Sequence, residues 1–370
     1  MQDLQAWLRL QATPGVGTQT AAALLRRYGA PADIFRQSSA ELRRWVRPEV
    51  AQALATVPSG LPALHQRVLD WLARPACGTS HAVWTWAHAS YPPCLLALVD
   101  PPLLVYAQGQ LASPVPPGIA VVGSRNATPQ GLENARAFAR HLGDAGFCIV
   151  SGLAWGIDTA AHQGALAAAR SADDCATLAV VGSGLDRVYP ERNTGLAQQI
   201  AARGALISEY PPGTAPLAHH FPQRNRLIAA FSSAVLVVEA SLKSGSLITA
   251  RLALDLGREV LAIPGSIHSA QARGCHALIR QGAKLVESVE DVMEELRLAP
   301  GPHPAVAAAD QAEPSPLLQA LGHDPVAMEV LLQRTNLDVA ALQSALLALE
   351  LAGDVTRLPG GLFQRMTRLH

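Results

Sequence analysis

The chain has 370 residues, of which 49% are hydrophobic and 16% charged, so it has enough apolar side chains to bury more than one core. Its 29 basic and 29 acidic side chains give a formal net charge of zero. This balance excludes a global electrostatic attraction to nucleic acid or to an anionic membrane, and any site for a polyanion must therefore be local.

The first ten residues, MQDLQAWLRL, include an acidic residue and lack the apolar run of a signal peptide. No stretch of about 18 uninterrupted apolar residues occurs in the chain, so we expect a cytoplasmic protein. The five cysteines are scattered and include no Cys-x-x-Cys pair. They predict reduced, mostly buried thiols rather than a zinc site or a redox dithiol.

Residues 1–80 are expected to form a small helical domain. The stretch ATPGVGTQTAAALLRRYG has the form of a helix-hairpin-helix. Its turn, Pro14-Gly15-Val16-Gly17, has two interpretations that the sequence leaves open. The turn either presents backbone N–H groups to a phosphate or is a tight connection between two helices.

Residues 81–117 are expected to be an extended connector that packs on the core. Their closely spaced prolines forbid a helix, and LLVY suits a short strand. From Gly118 onward, short apolar runs alternate with helical stretches as far as residue 297. Strands that are apolar on both faces and separated by helices predict a parallel sheet covered on each side. Residues 118–297 are therefore predicted to be a Rossmann-like, doubly wound α/β domain.

A proline- and alanine-rich linker is predicted at 298–315, from the stretch APGPHPAVAAADQAEPSP. Residues 316–370 then show three helical stretches and two short strands around Pro-Gly-Gly, which favours a winged helix. From Ser315 to the C-terminus, four arginines face five acidic residues, a net charge of −1. Because a winged helix that grips duplex DNA is normally basic, protein contact or an accessory role is expected.

Ligands of a doubly wound sheet bind beyond the carboxyl ends of its strands, and here every predicted strand is followed by a polar or glycine-rich loop. In chain order these loops contain Gly123-Ser124-Arg125, Ser151-Gly152, Gly182-Ser183-Gly184 with Arg187 and Arg192, the His219 to Arg226 segment, and Ser244-Gly245-Ser246. The last triplet would open a helix whose N–H groups and dipole favour an anion.

The loops do not match the common nucleotide-binding motifs. The Rossmann fingerprint Gly-x-Gly-x-x-Gly and an acidic residue placed to hold a ribose are both absent, which argues against NAD. A Walker Gly-Lys-Ser/Thr sequence is absent as well, which argues against ATP hydrolysis. The sequence therefore predicts no cofactor and no metal.

Arginines at several strand ends together with Phe221 suit a single strand of nucleic acid, which needs cations along its backbone and a flat group for a base. We expect Arg125 to neutralise a phosphate that the N–H groups of its own turn help to hold. Loss of Arg125 should weaken single-strand binding without unfolding the protein.

Other polar residues near these loops have a structural interpretation beside a catalytic one. Asp158 and His162 lie four apart on one helix face and could transfer protons, although an N-cap aspartate beside an unrelated histidine is favoured. Glu239 could bind backbone amides in the sheet crevice. His219 and His220 lack the spacing of metal ligands.

A series of motifs resembles, in order, those of the DNA-processing family called DprA or Smf, over residues from about 90 to 290. They are DPPLLVYAQG, VVGSRNATPQG, SGLAWGIDTAAH, VVGSGLDRVYPERN, SEYPPG, FPQRNRLIAAFSSAVLVVEASLKSGSLITA and IPGSI. The resemblance implies a protein that binds and protects incoming single-stranded DNA in natural transformation and loads the RecA recombinase onto it. It further implies a homodimer formed through the Rossmann-like domain, an N-terminal SAM-like domain, a C-terminal winged helix and no catalysed reaction.

Matched motif by motif, the resemblance also implies the residues of the DNA site. They are Gly123, Ser124, Arg125, Arg187, Arg192, Asn193, Phe221, Arg224, Asn225, Arg226, Ser244, Gly245 and Ser246. In the 187–193 loop, it leaves open whether Arg187 or Arg192 faces the DNA.

The competing hypothesis is an enzyme of the same Rossmann-like superfamily, a phosphoribohydrolase that cleaves nucleoside monophosphates. Glu239 with Arg224 could mimic its catalytic pair. Against this, the chain has VVEASLKSGSLITA where those enzymes are expected to carry a Pro-Gly-Gly-x-Gly-Thr loop.

Overall fold

The computed structural model describes residues 2–75, 78–110, 118–168, 175–296 and 315–367. Apart from Ser315, the linker predicted at 298–315 lies outside these ranges, as does Cys77. Of the other cysteines, Cys148, Cys175 and Cys275 are buried and Cys94 is half-buried, as expected for thiols inside a core.

The elements of the described residues have the following bounds. The helices are α1 (Gln2–Ala12), α2 (Thr18–Tyr28), α3 (Pro31–Phe35), α4 (Ser39–Leu42), α5 (Pro48–Ala55), α6 (Leu61–Leu72), α7 (Pro93–Leu96), α8 (Pro129–Asp144), α9 (Ile157–Ala167), α10 (Thr194–Arg203), α11 (His220–Ala230), α12 (Ser246–Asp255), α13 (Arg273–Arg280), α14 (Val289–Glu295), α15 (Pro316–Leu321), α16 (Met328–Thr335) and α17 (Val339–Ala352). The strands are β1 (Ser80–Thr85), β2 (Leu104–Gly109), β3 (Gly118–Val122), β4 (Cys148–Ser151), β5 (Thr177–Val180), β6 (Gly204–Ser208), β7 (Ala234–Val237), β8 (Glu259–Ala262), β9 (Lys284–Leu285), β10 (Val326–Ala327), β11 (Val355–Leu358) and β12 (Leu362–Arg365).

A nine-stranded sheet forms the centre of the fold, in the order β1-β2-β6-β5-β4-β3-β7-β8-β9. From β6 to β9 along this order, every neighbouring pair is parallel. Helices connect these strands, because a parallel pair needs a crossover of a dozen or more residues. The predicted Rossmann-like, doubly wound sheet is thus confirmed.

Helices cover both faces of the sheet, as the apolar strands require. Successive side chains of β3 point to opposite faces. Ile119 and Val121 pack in the cluster that contains Phe138 of α8. Ala120 and Val122 pack in the cluster that includes residues of α11, α12 and α13. Since neither face meets water, the strands carry apolar runs instead of alternating with polar residues.

The segment expected to be a connector supplies part of the sheet. Strand β1 pairs antiparallel with β2, and β2 pairs antiparallel with β6, so both extend one edge. The strand predicted from LLVY is confirmed as β2. The expectation that the prolines forbid any helix is wrong, because α7 begins at Pro93. Proline is tolerated in the first turn of a helix, where its missing N–H would have no partner.

The six N-terminal helices form the predicted helical region and pack on one face of the sheet. Trp7 and Trp71 belong to the same buried cluster as Tyr106 of β2. The turn between α1 and α2 packs Val16 against this cluster, and Gly15 adopts a φ of 77° there. A tight turn between helices therefore accounts for Gly15, while phosphate binding at this turn stays a prediction.

The C-terminal residues form the predicted winged helix, with a three-stranded sheet in the order β10-β12-β11. Gly360 and Gly361 between β11 and β12 have φ values of 84° and 75°, which only glycine adopts without strain. The Gln130 side chain of α8 donates to the carbonyl of Thr367 and accepts from its N–H, both at 2.9 Å. These bonds join the winged helix to the Rossmann-like domain.

Close packing of α8 on α9 depends on Gly164. A Cβ at this position would overlap the backbone carbonyl of Arg136 on the facing helix. We expect Gly164→Ala to lower the free energy of unfolding by about 1–3 kcal/mol, because the helices must move apart. Urea titration followed by circular dichroism measures this change.

The matched control is Gly195→Ala on α10, where an added Cβ meets nothing within 4 Å. Its higher helix propensity should raise the free energy of unfolding by up to about 1 kcal/mol. Equal effects of the two substitutions would contradict the close approach at Gly164.

Candidate nucleic-acid interface

An open cavity of about 680 Å³ lies at the carboxyl ends of the central strands. Its wall is built from the turn after β3, the loop before α9, the N-terminal part of α11 and the turn before α12. Among the residues that the sequence singles out, those that line it are Gly123, Ser124, Arg125, Phe221, Arg224, Asn225, Ser244, Gly245 and Ser246. Tertiary folding therefore brings together loops that lie more than 100 positions apart in the chain.

The turn after β3 is fixed by backbone hydrogen bonds. The N–H of Ser124 donates to the Glu239 carbonyl at 2.7 Å, and the Ser124 carbonyl accepts from the N–H of Ile157 at 3.1 Å. The Ser124 hydroxyl accepts from the N–H of Asn126 at 3.1 Å. Two amides that the sequence offers to a phosphate are thus engaged within the protein. The exposed side chain of Arg125 is left as the cationic group of this turn.

Glu239 holds the start of α8 and does not line the cavity. Its carboxylate accepts from the N–H of Thr128 at 2.9 Å and from the Thr128 hydroxyl at 2.5 Å. Thr128 in turn caps α8 by accepting from the N–H of Gly131 at 3.0 Å. Burial raises the pKa of Glu239, and the bonds from Thr128 oppose that rise. The predicted backbone-binding role of this carboxylate is confirmed.

Arg224 forms the buried floor of the cavity. Its guanidinium donates to the carbonyl of Gly152 at 2.6 Å, to the carbonyl of Val180, and through Nε to the Asn225 side chain at 3.1 Å. These bonds tie α11 to the ends of β4 and β5. Burial lowers the pKa of Arg224 to about 10, and the nearby carboxylate of Asp158 opposes that shift.

Asp158 acts as a structural anion, but not as the predicted N-cap. Helix α9 begins at Ile157, after Gly156. The carboxylate of Asp158 accepts from the upstream N–H groups of Gly152 at 3.1 Å and Ala154 at 3.3 Å. It therefore orders the loop that precedes the helix. The sequence could not show this, because the same residue near a helix start can bond either way.

His162 is buried too deeply for acid–base work at the cavity. It is fully enclosed, and its Nδ1 lies 2.7 Å from the Thr177 hydroxyl. Burial lowers the pKa of His162 to about 3, so the ring is neutral at physiological pH. His162 and Asp158 therefore each bind a structural partner of their own.

Aromatic rings and cations meet along one wall. The guanidinium carbon of Arg125 lies 5.5 Å from the centre of the Phe221 ring, within the range of a cation–π contact. The centre of the Tyr189 ring also lies 5.5 Å from that of the Phe221 ring, with the two rings tilted by 42°. Sequence reasoning missed Tyr189 and also Lys243, an exposed residue of the wall. Both lie in loops that the sequence had already singled out, Tyr189 between Arg187 and Arg192 and Lys243 directly before Ser244.

The start of α12 forms the opposite wall. Gly245 precedes the helix, and the hydroxyls of Ser244 and Ser246 lie 2.7 Å apart. The Asn225 side chain donates to the Gly245 carbonyl at 3.3 Å and so links α11 to this turn. The predicted helix start is confirmed, and its N-terminal end faces the cavity where the dipole favours an anion.

Arg226 lies outside the cavity, although the sequence places it with Arg224. It is buried, forms an ion pair with Glu209, and has its Nε 3.3 Å from Asp100. Two carboxylates therefore balance its charge. The structure does not bring Arg226 to the site.

The loop at 187–193 places its three predicted residues differently. Arg187 is exposed, with Nε 3.8 Å from its neighbour Asp186. Asn193 is buried and donates to the carbonyl of Leu153 at 2.9 Å. Arg192 is exposed and does not line the cavity. None of the three belongs to the cavity wall.

The described ranges contain neither a membrane-spanning helix nor a metal-binding cluster. No helix there is both long and apolar enough to cross a membrane. No group of three or more His, Cys, Asp or Glu side chains in those ranges is arranged to hold a metal ion.

The sequence matches a family model over most of the described Rossmann-like region. The model of DNA recombination-mediator protein A matches residues 82–297, and the DprA winged helix domain matches residues 301–361. The chain belongs to the DprA (Smf) family. The family model begins within β1, in agreement with the finding that β1 and β2 are part of the sheet.

Relatives from the DprA (Smf) family align with more than half of this chain. It is 40% identical over 303 residues to protein Smf of Escherichia coli, covering 79% of each chain. It is 46% identical over 205 residues to the DNA processing protein DprA of Streptococcus pneumoniae, covering 55% of this chain and 71% of the relative.

Two solved DprA structures are also similar. The Streptococcus pneumoniae protein aligns with a TM-score of 0.65 and 36% identity over 78% of this chain and 95% of its own. The Helicobacter pylori protein, whose structure is described as showing a unique single-stranded DNA binding mode, aligns with a TM-score of 0.52 and 29% identity. It covers 59% of this chain and 95% of its own.

Proposed function

We propose that this protein binds single-stranded DNA in the cavity at the carboxyl ends of its central strands. The observation that carries the proposal is the cluster of Arg125, Phe221 and Tyr189 in the cavity wall. A cation beside two aromatic rings suits a phosphodiester chain, which presents a phosphate and a base at every step.

The charge of the cavity supports the same proposal. Arg125 and Lys243 reach solvent at its rim, and the start of α12 adds the positive end of a helix dipole. The guanidinium of Arg224 below them already donates hydrogen bonds to backbone carbonyls. We therefore assign phosphate contact to Arg125 and Lys243, and to Arg224 the shaping of the floor.

An enzyme of the phosphoribohydrolase kind is the less favoured alternative. The catalytic carboxylate that the sequence suggests for it is Glu239, which binds Thr128 and does not line the cavity. The pairing of Glu239 with Arg224 that this hypothesis needs is therefore not formed. An assay for release of free base from nucleoside monophosphates tests the alternative directly.

We further propose that the protein acts as a recombination mediator in the cytoplasm, protecting incoming strands in natural transformation and loading RecA onto them. The name of the matching family model supports this role. RecA nucleation on single strands, measured with and without the protein, tests it.

A homodimer through the Rossmann-like domain is proposed as well. Ile248 and Leu254 on α12 are large apolar side chains left exposed on that domain. The winged helix, with a net charge of −1 and exposed Leu347 and Leu351, suits protein contact better than a grip on duplex DNA. Sedimentation velocity at several protein concentrations tests the dimer.

The site is tested by Arg125→Ala. We expect affinity for an oligo-dT of about 30 nucleotides to fall by about 10- to 100-fold, because one charged contact to phosphate is lost. The slope of log affinity against log salt should fall by about 0.7, the value for one phosphate on a single strand. Fluorescence anisotropy measures both quantities.

Arg140→Ala is the matched control, since Arg140 is an exposed arginine on α8 away from the cavity. It should leave affinity and salt slope unchanged. Equal binding by the wild type and Arg125→Ala, or no preference for a single strand over a matched duplex, would contradict the proposed site.

A further inference from the structure

An exposed tryptophan carries an arginine on its face beside the cavity. The Trp155 side chain follows β4 and is 44% exposed. The guanidinium carbon of Arg192, from the 187–193 loop, lies 3.3 Å from the centre of its ring. Single exposed apolar side chains are common on protein surfaces, so the position of this one beside the cavity is what distinguishes it.

The two side chains are held by a buried amide between them. The Asn193 side chain donates to the Leu153 carbonyl at 2.9 Å and to the Thr159 hydroxyl at 3.1 Å. That hydroxyl donates to the Ala154 carbonyl at 2.8 Å. Asn193 thereby fixes the Trp155 loop against the Arg192 loop. The stacked pair is pre-organised, so little conformational entropy is lost when a ligand binds.

The pair lies where the cavity wall ends. Ala154 and Tyr189 line the cavity, whereas the next residue, Trp155, and the nearby Arg192 do not. The wall already carries the cluster of Arg125, Phe221 and Tyr189. Trp155 directly follows Ala154 in the chain and Arg192 lies three positions after Tyr189, so the pair adds a further ring and cation beside this wall.

The charged, flat guanidinium of Arg192 is available to a ligand. Within the described part of the chain it makes no salt bridge, whereas the neighbouring Arg187 lies close to Asp186. The indole lies against the guanidinium, and the Arg192 side chain is exposed to solvent. Nucleic-acid bases stack on guanidinium planes as well as on aromatic rings.

We propose that Trp155 and Arg192 form a second stacking subsite, which takes the base of a nucleotide where the single strand leaves the cavity past Tyr189. Asn193 is a positioning residue of this subsite. The inference rests on the proposed function, since it extends the same strand by a further contact.

The test is Trp155→Ala measured with oligo-dT of increasing length. We expect unchanged affinity for oligomers of about 3–4 nucleotides, which occupy the cavity alone, and a loss of about 5- to 30-fold at about 12 nucleotides, since one stacked base is lost. The salt slope should stay unchanged, because no phosphate contact is removed. Trp155→Phe should keep most of the affinity.

Trp45→Ala is the matched control. Trp45 is also exposed, at 52%, and carries Arg27 at 3.7 Å from its ring centre, but it belongs to the N-terminal helices. Single-stranded DNA should quench tryptophan fluorescence in the wild type and in Trp45→Ala, and this quenching should shrink in Trp155→Ala.

Arg192→Lys separates stacking from charge, because lysine keeps the charge but lacks the flat guanidinium. We expect it to lose as much affinity for the long oligomer as Trp155→Ala. The subsite would be overturned if Arg192→Lys bound with wild-type affinity. It would also be overturned if Trp155→Ala lost no affinity, or lost the same affinity for oligomers of every length. If Arg125→Ala weakens binding at every oligomer length, the proposed cavity site stands even when the subsite is overturned. If the wild type does not bind single-stranded DNA at all, the proposed function itself is overturned.

Discussion

Replacing Arg224 by alanine is expected to lower the free energy of unfolding by about 3–5 kcal/mol, because it removes the cation whose charge offsets that of the buried Asp158 carboxylate. The change also leaves the carbonyls of Gly152 and Val180 without their donor. Asp158 then faces the vacated space without a positive charge. Urea unfolding followed by circular dichroism measures the loss.

The double variant Asp158→Asn/Arg224→Met shows what Arg224 contributes to DNA binding. Removing both charges should recover a large part of the lost stability, since no buried charge is left unpaired. If single-strand affinity recovers with it, Arg224 only shapes the floor, as we assign. Recovered stability with affinity still about 10-fold low would instead place a phosphate on Arg224 and contradict that assignment.

Arg226→Ala is expected to lower the free energy of unfolding by a similar amount, about 3–5 kcal/mol, and yet to leave the single-strand affinity of the folded protein unchanged. The loss arises because Glu209, which is buried, and Asp100 would share a site without a cation. Anisotropy titrations at temperatures where the variant stays folded measure the affinity.

The pH dependence of Arg226→Ala provides a second readout. Burial already raises the pKa of Glu209, and Arg226 opposes that rise. Without Arg226 the folded-state pKa moves further above its unfolded value, so folding favours the protonated carboxyl. The variant should therefore be least destabilised at low pH and lose stability as pH rises through the folded-state pKa of Glu209.

Arg226→Met/Glu209→Leu is the control, because apolar residues in place of a buried ion pair are often neutral for stability. It should be clearly more stable than Arg226→Ala. A single-strand affinity that falls in Arg226→Ala and in this double variant alike would show that Arg226 contacts DNA after all.

The sequence by itself determined the fold class, because each central strand is apolar on both faces and each is followed by a helix. It also predicted where the cavity lies. The carboxyl ends of parallel strands meet at one edge of a sheet, so the loops with Arg125, Phe221 and Ser244 had to converge. The start of α12 followed from local chemistry alone.

Only the tertiary structure decided which polar residues face the cavity. Arg224 and Arg226 lie two positions apart on α11, which is about 200° around a helix. Helix α11 is buried nearly all round from Arg224 onward, so its sequence carries no polar stripe that marks the exposed side. The carboxylates that pair with Arg226 belong to segments distant from α11 in the chain. The loop to which Asn193 donates a hydrogen bond is likewise distant from Asn193 in the chain. Partners so far apart in the chain are chosen by packing, which local sequence patterns do not encode.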